Sequence, residues 1–105
     1  MKSITVQELD AKLKSNNPIV VIDVREGWER DIVHINGKHI PMGDIAEHAN
    51  EIPKDQDVVI HCKSGKRSAS VIGFLETQHA FENLYNLEGG ILAWVSEIDS
   101  SLEAY

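Results

Sequence analysis

Cys62 is the only cysteine of the chain, and cations crowd its C-terminal side. Lys63, Lys66 and Arg67 follow within five residues, interleaved with Ser64 and Gly65 and ending on Ser68. The thiolate, not the thiol, is the nucleophile, and it persists where positive charge and backbone N–H groups surround the sulfur. Before the cysteine, Val58-Val59-Ile60 is a short β-branched run that predicts a strand buried on both faces. After it, Ala69, Val71, Ile72, Phe74 and Leu75 fall at helical spacing. A tight polar loop from strand to helix turns successive N–H groups inward, and the helix N-terminus adds partial positive charge. Gly65 supplies the positive φ that the tip of such a loop can require. These residues read as an anion-binding loop with a reactive cysteine at its lip. A lone cysteine at a strand end can also be an inert core residue; the cationic frame decides for reactivity. With no second cysteine in the chain, a redox disulfide pair and a cysteine zinc site are both excluded.

The remaining segments must position that loop. Thr5 and Glu8 form a capping box opening a helix with Val6, Leu9 and Leu13 on one face, stopped at Asn16-Asn17-Pro18. Ile19 to Ile22 is a second buried strand, running into Asp23 and Arg25. If the two strands are parallel, these residues share the carboxyl edge with Cys62, where open α/β sheets bind ligands. Asp23 and Arg25 read as an ion-paired scaffold supporting the loop. Gly27 to Asp31 predicts a short exposed helix anchored by Trp28, and His34 to Pro41 a turn and a short edge strand ended by the proline. Met42 to Ile52 reads as a helix with Ile45, Ala46, Ala49 and Ile52 inward. Pro53 to Gln56 is a turn.

Beyond the loop, a helix is expected from Arg67 to about His79, with small Ser68, Ala69 and Ser70 letting it approach the sheet. Leu84 to Leu87 is the last strand. Gly89-Gly90 predicts a close backbone approach or positive φ. Ile91, Leu92, Trp94, Val95 and Ile98 line a closing helix, after which Ser100 to Tyr105 is expected to fray. Strands alternating with helices imply an α/β fold with a parallel or mostly parallel sheet covered on both faces.

A length of 105 residues suits one domain, 1–105, with a single core, and the hydrophobic (42%) and charged (26%) fractions are ordinary for a globular chain. The formal net charge of −7 argues against nucleic acid as a partner and makes the cationic loop a local feature aimed at something small. No apolar run suits a signal peptide or membrane span, and one free cysteine fits a reducing compartment, so a cytoplasmic protein is expected. His61 adjoins Cys62, but neighbouring strand residues face opposite ways, so it reads as structural. His34, His39, His48 and His79 show no ligand pattern, and neither metal nor cofactor is expected.

Four segments in order give the chain a resemblance to the single-domain rhodaneses, a sulfurtransferase family. They are Ile22 to Glu26, His34 to Gly37 with Ile40-Pro41, the loop Cys62 to Ser68, and Asn86 to Trp94. The resemblance covers nearly the whole length. Val33 to Lys38 departs from the family's usual Gly-His-Ile-Pro-Gly-Ala, altering one turn away from the cysteine. The resemblance implies a five-stranded, largely parallel sheet with helices on both sides. It also implies Cys62 as sulfur acceptor, cradled by the N–H groups of Lys63 through Ser68.

Thiosulfate, so read, gives its outer sulfur to the Cys62 thiolate, sulfite leaves, and cyanide or a thiol removes the sulfur from the resulting persulfide. Lys63, Lys66 and Arg67 would neutralise the donor's sulfonate. Two alternatives stay open. A sulfur-relay carrier would use the same Cys62 to take persulfide from a partner protein. A cysteine phosphatase or arsenate reductase would also set a thiolate before an arginine, but those loops place it one residue further on than Arg67, five positions after Cys62.

Overall fold

The computed structural model describes residues 1–16 and 19–105. In chain order its elements are β1 (Lys2–Ile4), α1 (Val6–Leu13), β2 (Val20–Asp23), α2 (Gly27–Ile32), β3 (Lys38–His39), β4 (Val58–His61), α3 (Lys66–His79), β5 (Leu84–Leu87) and α4 (Gly90–Glu97). The five strands form one sheet in the order β1-β5-β4-β2-β3, and every pairing is parallel.

The β-branched runs occupy the middle of the sheet because only strands covered on both faces can bury such side chains without alternation. Along β4, Val58 and Ile60 face a core shared with Ile22 and with Val71, Ile72 and Leu75 of α3. Val59 faces the opposite core, among Leu9 of α1 and Ile91, Trp94 and Val95 of α4. Each fully buried Ile or Leu adds about 1.5–3 kcal/mol, so the two cores hold β4 from both sides. The loop therefore starts from a strand packed on both faces.

α1 begins as its capping box requires, with Thr5 Oγ1 accepting from Glu8 N–H at 3.1 Å and the Glu8 carboxylate accepting from Thr5 N–H at 3.0 Å. It ends at Leu13, before the expected stop, of which Asn17 and Pro18 lie outside the described residues. Leu13 is exposed rather than inward.

Other expectations are corrected. β1 escaped the sequence pattern because it is a three-residue edge strand with only Ile4 buried. Residues 42–52 form two 3₁₀ turns, Met42–Asp44 and Ala49–Glu51, instead of one helix. Their hydrogen bonds span three residues, as in Asp44 N–H to Pro41 O (2.8 Å) and Glu51 N–H to His48 O (2.9 Å). The 3.6-residue face breaks accordingly: Ile45, Ala49 and Ile52 are buried, and Ala46 is exposed. α2 is anchored by Glu29, 3% exposed, while Trp28 is 62% exposed. The tail, expected to fray, folds back so that Tyr105 docks against α2 and Arg25.

Candidate functional site

The register pairs Asp23 with His61 and Ile60 with Asn86, so the ends of β2, β4 and β5 lie side by side. Cys62 is the next residue beyond β4 and is 1% exposed. Its side chain lies in the core on the α3 side. Between Cys62 and α3 only Lys63, Ser64 and Gly65 intervene, and Gly65 turns the chain into the helix with φ of 109°, which an L-side chain would resist.

The loop converges on sulfur. Gly65 N–H donates to Cys62 Sγ at 3.1 Å and Ser68 N–H at 3.4 Å, with Ser68 Oγ also 3.4 Å away. Burial works to raise the thiol pKa, but the Ser68 hydroxyl and the N–H groups of Ser68, Gly65 and Ser64 outweigh it and hold the pKa below its ordinary value.

α4 explains why the loop amides turn this way. Ile91 N–H donates to Cys62 O (3.0 Å) and Leu92 N–H to Lys63 O (3.2 Å). In a trans peptide the N–H opposes the carbonyl, so drawing these two carbonyls toward α4 aims the Lys63 and Ser64 N–H groups the other way. The close approach needs glycine: a Cβ on Gly90 would lie 2.4 Å from Lys63 O and 2.6 Å from Cys62 O, and both Gly89 and Gly90 have positive φ.

Asp23 and Arg25 make a buried ion pair, Nη2 to Oδ2 at 2.8 Å, with Arg25 wholly inaccessible. Burial works to raise the Asp23 pKa, yet the hydrogen bonds from Arg25 outweigh burial and lower it. Arg25 also donates to Val33 O (2.6 Å) and Tyr105 Oη (2.9 Å). The pair lies at the carboxyl end of β2, beside the end of β4. His61 points to the far face, its Nε2 4.0 Å from Asp23 Oδ2, and burial pushes it toward the neutral imidazole.

The three cations are not equivalent. Arg67 makes a two-pronged pair with Glu29, Nη1 to Oε2 at 2.7 Å and Nη2 to Oε1 at 2.8 Å. That pairing lowers the Glu29 pKa to about 2 and raises that of Arg67. Lys63 Nζ sits 4.5 Å from the centroid of the Tyr105 ring. Among the described residues Lys66 is exposed, with its ammonium unpaired.

Sequence reasoning gave no role to Glu29, Tyr105 or Asn86. Asn86 Nδ2 donates to Gly65 O (3.0 Å), and its Oδ1 accepts from the Ser68 hydroxyl (2.6 Å). Asn86 carried a signal, being a polar residue at the end of a buried strand on the loop's edge. Glu29 and Tyr105 carried none, since their partners lie 38 and 76 residues away.

The result is a buried thiol under convergent N–H donors, at the carboxyl edge of a parallel sheet and the mouth of a helix, a setting that favours negative charge on sulfur. A sequence model of the Rhodanese-like domain matches residues 5–97. The chain is 37% identical to the putative sulfurtransferase YtwF of Bacillus subtilis, over 92% of this chain and 93% of that one. It is 36% identical to the probable adenylyltransferase/sulfurtransferase MoeZ of Mycobacterium tuberculosis over 98% of its own length, but spans only 27% of MoeZ. The crystal structure of a rhodanese-like domain protein from Staphylococcus aureus superposes with a TM-score of 0.85 at 39% identity, covering 100% of this chain and 99% of that one. The chain belongs to the rhodanese-like sulfurtransferase family. Among the described residues, no helix is long and apolar enough to cross a membrane.

Proposed function

We propose that residues 1–105 act as one sulfur-transfer domain in which Cys62 accepts a sulfane sulfur as a persulfide and passes it to a thiophilic acceptor. The observation that carries this is the convergence of the Gly65 and Ser68 N–H groups on Sγ. Such a ring stabilises the attacking thiolate and, a bond further out, the anionic outer sulfur of the persulfide. The thiolate attacks the donor's outer sulfur, the donor's S–S bond breaks with its electron pair on the leaving group, and an acceptor then repeats the displacement. Thiosulfate with cyanide or a thiol is the simplest donor–acceptor set. Lys66, exposed and unpaired among the described residues, is the cation left free to meet the donor's sulfonate.

A relay from a protein persulfide is the second reading, favoured by the commitment of Arg67 to Glu29, which leaves less free positive charge for a dianion. The same commitment weighs against a phosphatase, whose arginine must grip the phosphoryl oxygens.

Incubation with thiosulfate followed by intact-mass measurement is expected to add one sulfur, and Cys62→Ser is expected to lose both adduct and turnover. Unchanged turnover in Cys62→Ser ends the proposal. Sulfur uptake from a cysteine desulfurase but not from thiosulfate selects the relay.

A further inference from the structure

The Ser68 hydroxyl has one proton and two claimants. Oγ lies 2.6 Å from Asn86 Oδ1 and 3.4 Å from Cys62 Sγ. The orientation of the Asn86 amide is fixed, because Gly65 O accepts its Nδ2 at 3.0 Å and would repel an oxygen there. Asn86 Oδ1 therefore always faces Ser68 as an acceptor. With the proton on that short bond, Oγ turns a lone pair toward sulfur, which suits a thiol S–H donor. A thiolate needs the opposite, the hydroxyl proton pointed at sulfur.

We propose that Asn86 is a positioning residue that competes with Cys62 for the Ser68 proton, so that the hydroxyl switches acceptor with the charge on sulfur. Facing Sγ as a thiolate, Ser68 donates to it and leaves Asn86 Oδ1 unpaired. When a sulfane sulfur is loaded, the new S–S bond makes Sγ neutral and moves the charge to the outer atom, and the hydroxyl returns to Asn86. No proton leaves Oγ and nothing is oxidised; only the acceptor changes. The exchange favours unloading the charge from Sγ, hence loading the sulfur. It rests on Cys62 being the nucleophile of the proposed function.

Other charged groups near the sulfur do not make this exchange. Lys63 lies over the Tyr105 ring, Lys66 is exposed, and Arg67 at the start of α3 is held by Glu29 of α2. On the far face of β4 and β2 lie His61, Asp23 and Arg25, joined to one another rather than to sulfur. None contacts the Ser68 hydroxyl among the described residues.

The test is the pH profile of iodoacetamide alkylation at Cys62 in the folded protein, with Asn86→Leu and Asn86→Asp, each alone and combined with Ser68→Ala. Asn86→Leu keeps bulk in β5 but removes the rival acceptor, and its midpoint is expected to fall by up to about one pH unit, or about tenfold in rate below the midpoint, the scale of one hydrogen bond to an anion. Combined with Ser68→Ala, that fall is expected to vanish. Asn86→Asp, a stronger acceptor, is expected to raise the midpoint more when Ser68 is present than when it is absent. A brace that only holds Gly65 gives the reverse, a midpoint that rises in Asn86→Leu equally with or without Ser68, and this overturns the proposal. Should Asn86→Leu fail to fold, the Asn86→Asp pair decides alone, an equal shift in both backgrounds overturning it. Sulfur loading by intact mass is read separately on the unmodified protein, so its failure counts against the proposed function and not against the proton exchange.

Discussion

Lys66 and Arg67 are adjacent, yet their substitution is expected to separate binding from bracing. Lys66→Ala should lower kcat/KM for thiosulfate by one to two powers of ten, the loss of a charge-assisted contact of about 1.5–3 kcal/mol, and leave Tm nearly unchanged. Arg67→Ala should lower both, because it takes the paired cation from the Glu29 carboxylate, which is only 4% exposed on its side chain and keeps just the Tyr105 hydroxyl and the Glu26 N–H as donors. After allowance for the partial exposure of Arg67, about 1–3 kcal/mol is expected. Steady-state kinetics beside thermal melts separate the two. Glu29 also predicts a pH dependence. Its folded pKa, about 2, is depressed from 4.5, so its stabilisation is complete above 4.5 and is lost as pH falls toward 2. The Tm advantage of the native protein over Glu29→Gln should shrink across that window; an advantage constant from pH 5 to 2 would refute it. The loop from Cys62 into α3 was legible in the sequence because it is contiguous. The division of labour among the cations was not, since an ordinary glutamate decides it from another helix.

Element by element, what could be read was what is periodic and long. β4, the loop and α3 came directly from Val58 to Leu75, and the capping box gave the start of α1. Residues 42–52 misled because apolar residues three and four apart fit a helix and successive 3₁₀ turns alike, and only the hydrogen-bond span separates them. The paired glycines gave both of the features their sequence suggested, positive φ and close approach, though not the function of that approach, which is to let the first amides of α4 pull the loop carbonyls away from sulfur. Gly90→Ala is therefore expected to damage stability and thiolate reactivity together, by about 2 kcal/mol or more in stability. Gly73→Ala is the counterpart: it lies within α3 with open space at the Cβ position and should stabilise by about 0.5–1 kcal/mol without touching reactivity. Chemical denaturation and alkylation rates on both variants check the pair.

Over the whole molecule, Tyr105 ties the end of the described chain to its first half. Its hydroxyl donates to Glu29 Oε1 at 2.7 Å and accepts from Arg25, and its ring meets the edge of Trp28 and the ammonium of Lys63. Tyr105→Phe should keep the ring contacts and lose about 1–2 kcal/mol, read as a lower Tm; an unchanged Tm would mean the tail is not held by its hydroxyl. Beneath this clasp lies the Asp23–Arg25 pair, and its burial constrains how such a sequence can change over time. Losing either partner alone leaves an uncompensated buried charge at about 3–5 kcal/mol, a large part of the roughly 5–15 kcal/mol that keeps a small domain folded. Losing both at once would remove that charge, but Val33 O and the Tyr105 hydroxyl would still lose the donor they have in Arg25. Single substitutions thus find no path out, and descendants inherit the two residues as a unit whether or not sulfur transfer needs them. Persistence of this pair among relatives would therefore be no sign, by itself, of a catalytic demand.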